Sequence, residues 1–306
     1  MAVETPETCP LCDGRDTTVV VAHVRDQEYG APGDYRWVRC TDCALVRLDP
    51  FPSLDVLDAA YPPDYHAYVE PESGITRWMR SMAFGRLAAG LAKQLPPGGA
   101  ILDVGCSTGE LLAAVGERGD FRLVGVESKQ SAADAARERG VDVHQGDLES
   151  ADIAAGSIDL AIMQHVLEHV FDPIASLQIL ARTMKPGGVL RGELPNLRSW
   201  DASLFGRYWG GGHAPRHLWH FSPATLRRAL EHCGFVDIEL SPALHTGHWA
   251  LSIQNALRRN RDDCSGLVSG RTWYYPLFLM ITIPINLVQM PLLRTGVMRF
   301  RARRPT

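Results

Sequence analysis

Between Ala100 and Glu117 the chain passes from an unbroken apolar run, through a turn carrying two glycines, into a segment of helical period. Few architectures accept that order. Ala100 to Val104 has the length and composition of a buried strand, and Gly105 and Gly109 punctuate the turn after it. From Glu110 to Glu117 the residues Leu111, Leu112 and Val115 share one helical face. Strand, glycine turn and helix open a doubly wound α/β sheet, in which ligands lie outside the carboxyl ends of the strands. The glycines let the backbone approach a ligand closely, and the start of the helix offers unpaired N–H donors. A nucleotide-like ligand is expected.

The dinucleotide fingerprint needs Gly-x-Gly-x-x-Gly, whereas this chain has Asp103-x-Gly105-x-x-x-Gly109. A second apolar run, Phe121 to Val126, ends in Glu127, a carboxylate at a strand tip that can accept both hydroxyls of a ribose. A third, Val141 to Leu148, carries Asp147, placed to accept from an adenine amino group. The competing reading is an ordinary α/β core. Taken in order, the glycine turn, the acid after strand two and the Asp after strand three resemble the class I S-adenosylmethionine-dependent methyltransferases. That resemblance implies a Rossmann-like seven-stranded α/β sheet with S-adenosyl-L-methionine as cofactor. It implies that Asp103, Gly105, Cys106, Ser107, Gly109, Glu127, Asp147, Leu148 and Gln164 hold the cofactor. The resemblance continues through a fourth strand, Ser157 to Met163, and the run Val166-Leu167-Glu168-His169. Asp172-Pro173 then starts a helix reaching Thr183, and the Pro186-Gly187-Gly188 turn precedes a fifth strand, Val189 to Leu194. Gln164, His165, Glu168, His169, Pro195 and Asn196 fall on the ligand-binding rim.

Four of the seven cysteines form two pairs, Cys9-x-x-Cys12 and Cys40-x-x-Cys43, joined by strand-like Thr17 to Val24 and Tyr35 to Arg39. Two such knuckles on successive hairpins converge four thiolates on a tetrahedron, which suits Zn²⁺, or iron in the same cage. A redox pair or disulfides compete, but the duplicated knuckle and a cytosolic setting disfavour both. With four protein ligands the site is closed, so its role is structural. Cys106, Cys233 and Cys264 read as buried or incidental thiols. These signals divide the chain into a zinc ribbon (1–48), a connector and capping helix (49–97), a cofactor-binding core (98–241) and a partly very apolar helical insertion with a final strand (242–306). The connector carries Pro50, Pro52, Pro62, Pro63, Tyr61, Tyr65 and Tyr68, and its tyrosines either roof the cofactor pocket or pack beneath a loop.

Within the core, residues 196–221 show no regular period yet hold Trp200, Trp209, His213, Arg216, His217, Trp219 and His220. A long loop of that composition above the rim reads as a substrate lid. Its Pro-Arg-His-Leu-Trp-His-Phe-Ser string, 215–222, resembles a subfamily of these methyltransferases found with sugar, cell-envelope glycan or quinone-type modification. Methyl transfer from a sulfonium needs alignment, a dry pocket and, for a hydroxyl acceptor, a base near neutral pKa. His217 is the expected base and Arg216 the expected clamp for an anionic group of the acceptor, with His220, His169 and His165 as rival bases.

Ser222 caps a further helix ending at Cys233-Gly234, Phe235 to Leu240 is a sixth strand, and Gly296 to Ala302 supplies the seventh, antiparallel one. Between them lie a helix from about Gly247 to Arg259 and the uncharged stretch Thr272 to Leu293. Thr282, Asn286 and Gln289 recur there at helical spacing and leave a broad apolar face. Peripheral membrane contact, packing against a second copy or the core, and a true span all fit. The net charge of −4 gives no global field for nucleic acid, and no leader pattern begins the chain. The expected location is therefore cytoplasmic, with peripheral contact at the inner face of the membrane. The expected reaction is methyl transfer to a small-molecule hydroxyl. An RNA methyltransferase gripping its substrate through the ribbon is one rival, and a non-catalytic cofactor-binding scaffold is another.

Overall fold

Two cysteine knuckles, at Cys9–Cys12 and Cys40–Cys43, are built alike. In each, the residue after the second cysteine is left-handed (Asp13 at φ 59, Ala44 at φ 63). Its N–H returns to the carbonyl of the first cysteine, at 2.8 Å on Cys9 and 3.0 Å on Cys40. The computed structural model describes residues 5–61, 74–259, 264 and 267–306. The expectations for Pro62, Pro63, Tyr65 and Tyr68 fall outside them. The ribbon strands are β1 (Thr17–Val24), β2 (Tyr35–Cys40) and β3 (Val46–Asp49), with the second knuckle turning β2 into β3; helices α1 (Leu54–Ala59) and α2 (Gly74–Ala92) come next.

The core alternates strand and helix: β4 (Ala100–Val104), α3 (Glu110–Gly116), β5 (Arg122–Glu127), α4 (Gln130–Glu138), β6 (Asp142–Gln145), β7 (Ile158–Gln164), α5 (Pro173–Thr183) and β8 (Met184–Pro195). Asp172 caps α5, its Oδ1 accepting the N–H groups of Ile174 and Ala175 at 2.9 Å each. After β8 come α6 (Trp200–Phe205), β9 (Trp219–His220), α7 (Pro223–His232), β10 (Val236–Ala243), α8 (Gly247–Leu257), α9 (Tyr275–Ile281), α10 (Ile283–Gln289) and β11 (Val297–Arg303). The main sheet has seven strands in the order β10-β11-β8-β7-β4-β5-β6. β11 runs antiparallel to both its neighbours, and β4 to β8 pair in parallel. This is the Rossmann-like methyltransferase sheet. Every residue of β4 is buried, as a central parallel strand covered on both faces requires.

The stretch 196–221 departs from the sequence reading of a loop without regular structure. It contains α6, whose six residues are too short to show a helical period, capped by the Ser199 hydroxyl on the Ala202 N–H at 3.2 Å. It also contains β9, which joins the ribbon sheet by pairing Val46 with His220 and Arg47 with Trp219. Trp209, Leu218, Trp219 and Phe221 are buried in one continuous core with Trp37 and Leu48 of the ribbon and Leu102 and Met163 of the main sheet. The segment thus runs through the interior.

α9 and α10 are inverted in polarity. Thr282, Asn286 and Gln289 are almost completely buried, while Leu277, Met280, Ile281, Leu287, Val288 and Leu292 are each more than half exposed. Gln289 accepts from the Trp249 indole at 2.9 Å and donates to the Arg294 carbonyl at 2.7 Å. Among the described residues no single helix is long and apolar enough to cross a membrane. α9 and the stretch from Ile283 to Leu292 pass that test together, bent by 44°.

The contact that ties these parts together is buried and ionic. The Arg216 guanidinium meets both oxygens of Asp26 at 3.0 Å, and neither side chain has solvent exposure. Removing one member of a buried pair leaves an uncompensated charge. Asp26→Ala is therefore expected to lower the free energy of unfolding by about 3–5 kcal/mol. Asp34→Ala, which removes an exposed pair with Arg25, should change it by about 1 kcal/mol or less. Urea unfolding midpoints of the two variants measure the contrast.

Candidate active site at the carboxyl edge of the sheet

The turn after β4 is held from both sides. Gly105 (φ 75) and Cys106 both donate to the Val126 carbonyl, at 2.8 and 3.1 Å. Glu127, at the tip of β5, accepts the Ser107 N–H on Oε2 and the Lys129 N–H on Oε1, each at 2.9 Å. A Cβ on Gly105 would lie 2.7 Å from Val166 Cγ2, so the loop after β7 closes directly onto the turn. Gly109 (φ 74) begins α3, and a Cβ there would meet Ala136 at 2.8 Å. These two positions admit glycine for conformation and for space.

The structure therefore brings Gly105, Ser107, Gly109 and Glu127 into one small framework. Asp103 lies beneath it with 6% exposure. Burial, and then the Glu127 charge, push its carboxyl up to about 8. Asp147 follows β6, where the Ser150 hydroxyl and N–H hold its carboxylate below the usual range. Leu148 is buried beside it, and Gln164 ends β7, half-buried. Cys106 differs from the rest. Its Sγ would touch a Cβ placed on Gly125 at 2.6 Å, so the thiol is turned into the core, and burial pushes its pKa up to about 12. Cys106 offers the site its backbone.

Next to the turn stands an unusual assembly of imidazoles. His165, in the left-handed region at φ 53, follows the tip of β7. Its Nδ1 donates to Glu168 Oε1 at 3.2 Å. Burial lowers the His165 pKa, but the Glu168 carboxylate, with Glu193 behind it, outweighs that, and the net shift is upward. Ring centroids then run from His165 to His245 (6.3 Å), His245 to His248 (4.8 Å), His248 to His213 (6.4 Å), His213 to His217 (4.9 Å) and His217 to His169 (4.5 Å). Burial, followed by repulsion from neighbouring rings, lowers His217 and His248 well below the usual value and His245 to about 4. For His169, at about 4, burial again leads and neighbouring rings add to it. Burial thus favours the neutral form of His169, His217, His245 and His248.

Three sequence expectations change here. Arg216 has no exposure and both arms of its guanidinium meet Asp26, with the Ala60 carbonyl also at 2.9 Å. It holds the interior together and presents no clamp to an acceptor. His217 is 5% exposed, with Nδ1 donating to the Gly211 carbonyl at 2.9 Å. A ring so strongly held neutral is a poor proton acceptor, so the expected base is misplaced there. His220 is 2% exposed and packs on Trp37 at 4.6 Å. Burial lowers it to about 3, and neither nitrogen has a hydrogen-bond partner. His220 is a core residue.

The sequence reading gave no role to His245, His248, Asp26 or Glu28, whose carboxylate lies 3.0 Å from His213 Nδ1. They come from segments far apart in the chain, and no local pattern joins them. Glu168 did carry a signal, three residues after His165 on the rim.

At the other end of the ribbon, Cys9, Cys12, Cys40 and Cys43 place their sulfurs within 4.8 Å of one another. Cys9 and Cys43 are 3.4 Å apart and Cys12 and Cys40 3.5 Å, too far for disulfides. A tetrahedron of Zn–S bonds has edges of about 3.8 Å, so this donor set fits a structural zinc.

Residues 76–240 match a family described as a methyltransferase domain. The chain is 29% identical over 154 residues to the ubiquinone biosynthesis O-methyltransferase of Idiomarina loihiensis, covering 46% of this chain and 63% of that protein. It is 30% identical over 152 residues to the malonyl-[acyl-carrier protein] O-methyltransferase of Serratia marcescens, covering 49% and 58%. The chain thus spans less than two thirds of the length of these curated relatives. The crystal structure of geranyl diphosphate C-methyltransferase from Streptomyces coelicolor, in complex with Mg²⁺, geranyl diphosphate and S-adenosyl-L-homocysteine, shares the fold. Its TM-score is 0.53 at 17% identity, covering 79% of this chain and 89% of that one.

Asp103 makes stability depend on pH. The unfolded carboxyl titrates near 4, whereas the folded one keeps its proton to about 8. Between those values the folded state binds more protons, so this group takes stability away as pH rises. Asp103→Asn is expected to match the wild type in urea midpoint at about pH 4 and to exceed it by about 2–4 kcal/mol at about pH 9. Equal midpoints throughout would refute the assignment.

Proposed function

Because the chain belongs to this methyltransferase-domain family, we propose that it transfers a methyl group from S-adenosyl-L-methionine to a hydroxyl of a small-molecule acceptor. A sugar or glycan precursor, or a quinone-like or other specialised metabolite, is the acceptor class. Asp103, Gly105, Ser107, Gly109, Glu127, Asp147, Leu148 and Gln164 would hold the cofactor, which supplies an activated methyl on sulfur. All of them sit at or just beyond the carboxyl ends of the adjacent parallel strands β7, β4, β5 and β6.

One observation carries the reading: a histidine oriented by a buried carboxylate stands beside the cofactor turn. Glu168 is 1% exposed and fixes His165 Nδ1, which leaves Nε2 as the unprotonated nitrogen of a half-exposed ring. Val166, the next residue, packs on Gly105. His165 thus replaces His217 as the base that takes the acceptor's proton, with Glu168 setting its tautomer. Cys9, Cys12, Cys40 and Cys43 would hold one structural Zn²⁺.

The test is methyl transfer from labelled cofactor to a panel of hydroxylated metabolites, read against pH. A base must be unprotonated, so the rate should rise with pH through a pKa above the ordinary histidine value of 6.5. His165→Gln should abolish that limb and lower kcat about a hundredfold or more. An unchanged profile would remove His165 from the mechanism, and no calorimetric heat with the cofactor or its demethylated product would remove the reaction.

The same site chemistry suits a lipid-linked acceptor, and we propose that the α9–α10 face rests on an anionic membrane surface. From Cys264 to Thr306 the chain has six arginines and no Asp or Glu. The uncharged apolar face is bracketed by Arg271 and Arg294, and Trp273 beside it is 90% exposed. Aromatic, apolar and cationic groups in that arrangement match a headgroup boundary. The full chain should pellet with vesicles containing phosphatidylserine and less with neutral ones. A Leu287→Asp, Val288→Asp double variant should stay in the supernatant, and a concentration-dependent dimer lost in that variant, without pelleting, would assign the face to a second copy.

A further inference from the structure

Outside the cysteine cluster, Glu168, His169 and His217 form a second group whose potential ligand atoms, one from each residue, lie within 4.8 Å of one another. Their surroundings set them apart from the other crowded imidazoles.

A backbone carbonyl lies at Nδ1 of both rings. His169 donates Nδ1–H to the Arg216 carbonyl at 3.0 Å, with the Tyr61 hydroxyl also 3.0 Å from that nitrogen, and His217 donates Nδ1–H to the Gly211 carbonyl at 2.9 Å. Each is left with a lone pair on Nε2. Metal-ligating histidines are oriented in this way, by a hydrogen bond from the far nitrogen to a carbonyl or carboxylate. The first of these carbonyls belongs to the residue fixed by Asp26. Glu168 is 1% exposed, and while Oε1 takes the His165 proton, Oε2 is buried with no hydrogen-bond partner. An acceptor left bare in the interior needs a partner, and a bound ion supplies one. Two imidazole nitrogens and one carboxylate oxygen are the donor set of three-ligand sites for zinc or ferrous iron, which keep positions open for water or substrate.

We propose that Glu168, His169 and His217 bind a divalent transition-metal ion, distinct from the four-thiolate site. Bound donors sit about 3–3.5 Å apart, so binding would draw the three atoms inward. The ion's use rests on the methyl-transfer reading, although its binding does not. The ion would acidify an acceptor hydroxyl, and His165 Nε2 would take its proton as the oxygen's electron pair forms the O–CH₃ bond and the C–S pair stays on sulfur.

Metal content tests this without cofactor or acceptor. The full chain is stripped with chelator, reloaded with Co²⁺, desalted, and assayed for bound metal and for the visible spectrum. The wild type should hold two ions per chain. Glu168→Gln and His217→Gln should each hold one and keep the thiolate-to-cobalt bands. Cys12→Ser should lose those bands and keep the triad ion. One ion per wild-type chain with thiolate bands alone, or two ions in both triad variants, overturns the proposal. Near-UV circular dichroism establishes that each variant is folded, and His169→Gln replaces any that is not.

Discussion

Asp26 accepts five hydrogen bonds. Two come from Arg216, and the others from the backbone N–H groups of Glu28, Tyr29 and Ala31, at 2.9 to 3.1 Å. A carboxylate stripped of water is stable in an interior only when its lone pairs are met in this way. The Arg216 guanidinium also reaches the Ala60 carbonyl and stacks over Tyr29 at 5.1 Å. Three distant stretches therefore converge on one ion pair: the chain after β1, the residue after α1 and the segment leading into β9. The consequence reaches the rim, because the carbonyl of Arg216 orients His169, and Leu218 and Trp219 both donate to the Glu168 carbonyl. Geometry at the imidazoles depends on a contact that itself touches no ligand.

What could be read in the residues alone was the local part. Gly105 and Gly109 announce a turn that only glycine fills, the Glu127 and Asp147 positions follow from counting strands, and two Cys-x-x-Cys pairs announce a cage. Each is a short pattern whose physics is complete within ten residues or so. What surrounds Arg216 and His217 is hidden from the sequence for the opposite reason. In sequence they look like chemistry on an exposed loop, and nothing nearby reveals that Asp26 and Gly211 receive them. The pairing of β9 with β3 is equally invisible, since a two-residue strand has no period and its partner lies far back in the chain. Long-range partners decide what a polar side chain is for.

The bent α9–α10 pair shows the same rule with its sign reversed. Spacing correctly grouped Thr282, Asn286 and Gln289 on one face, but did not say which face turns inward. Trp249 and the Arg294 carbonyl settle it by meeting Gln289 inside. Once the polar groups have internal partners, the aliphatic residues are left outside, and a surface of that kind demands a covering.

The place of β11 bears on how the molecule is made. β10 pairs with β11, and β11 with β8, so the sixth strand reaches the rest of the sheet through a strand that begins more than fifty residues later. During synthesis β10 emerges with its hydrogen-bonding edge bare, and at about 5–20 residues per second it waits several seconds for its neighbour. Closure of the sheet therefore waits on Val297–Arg303, and until that strand emerges the β10 edge has no neighbour to pair with.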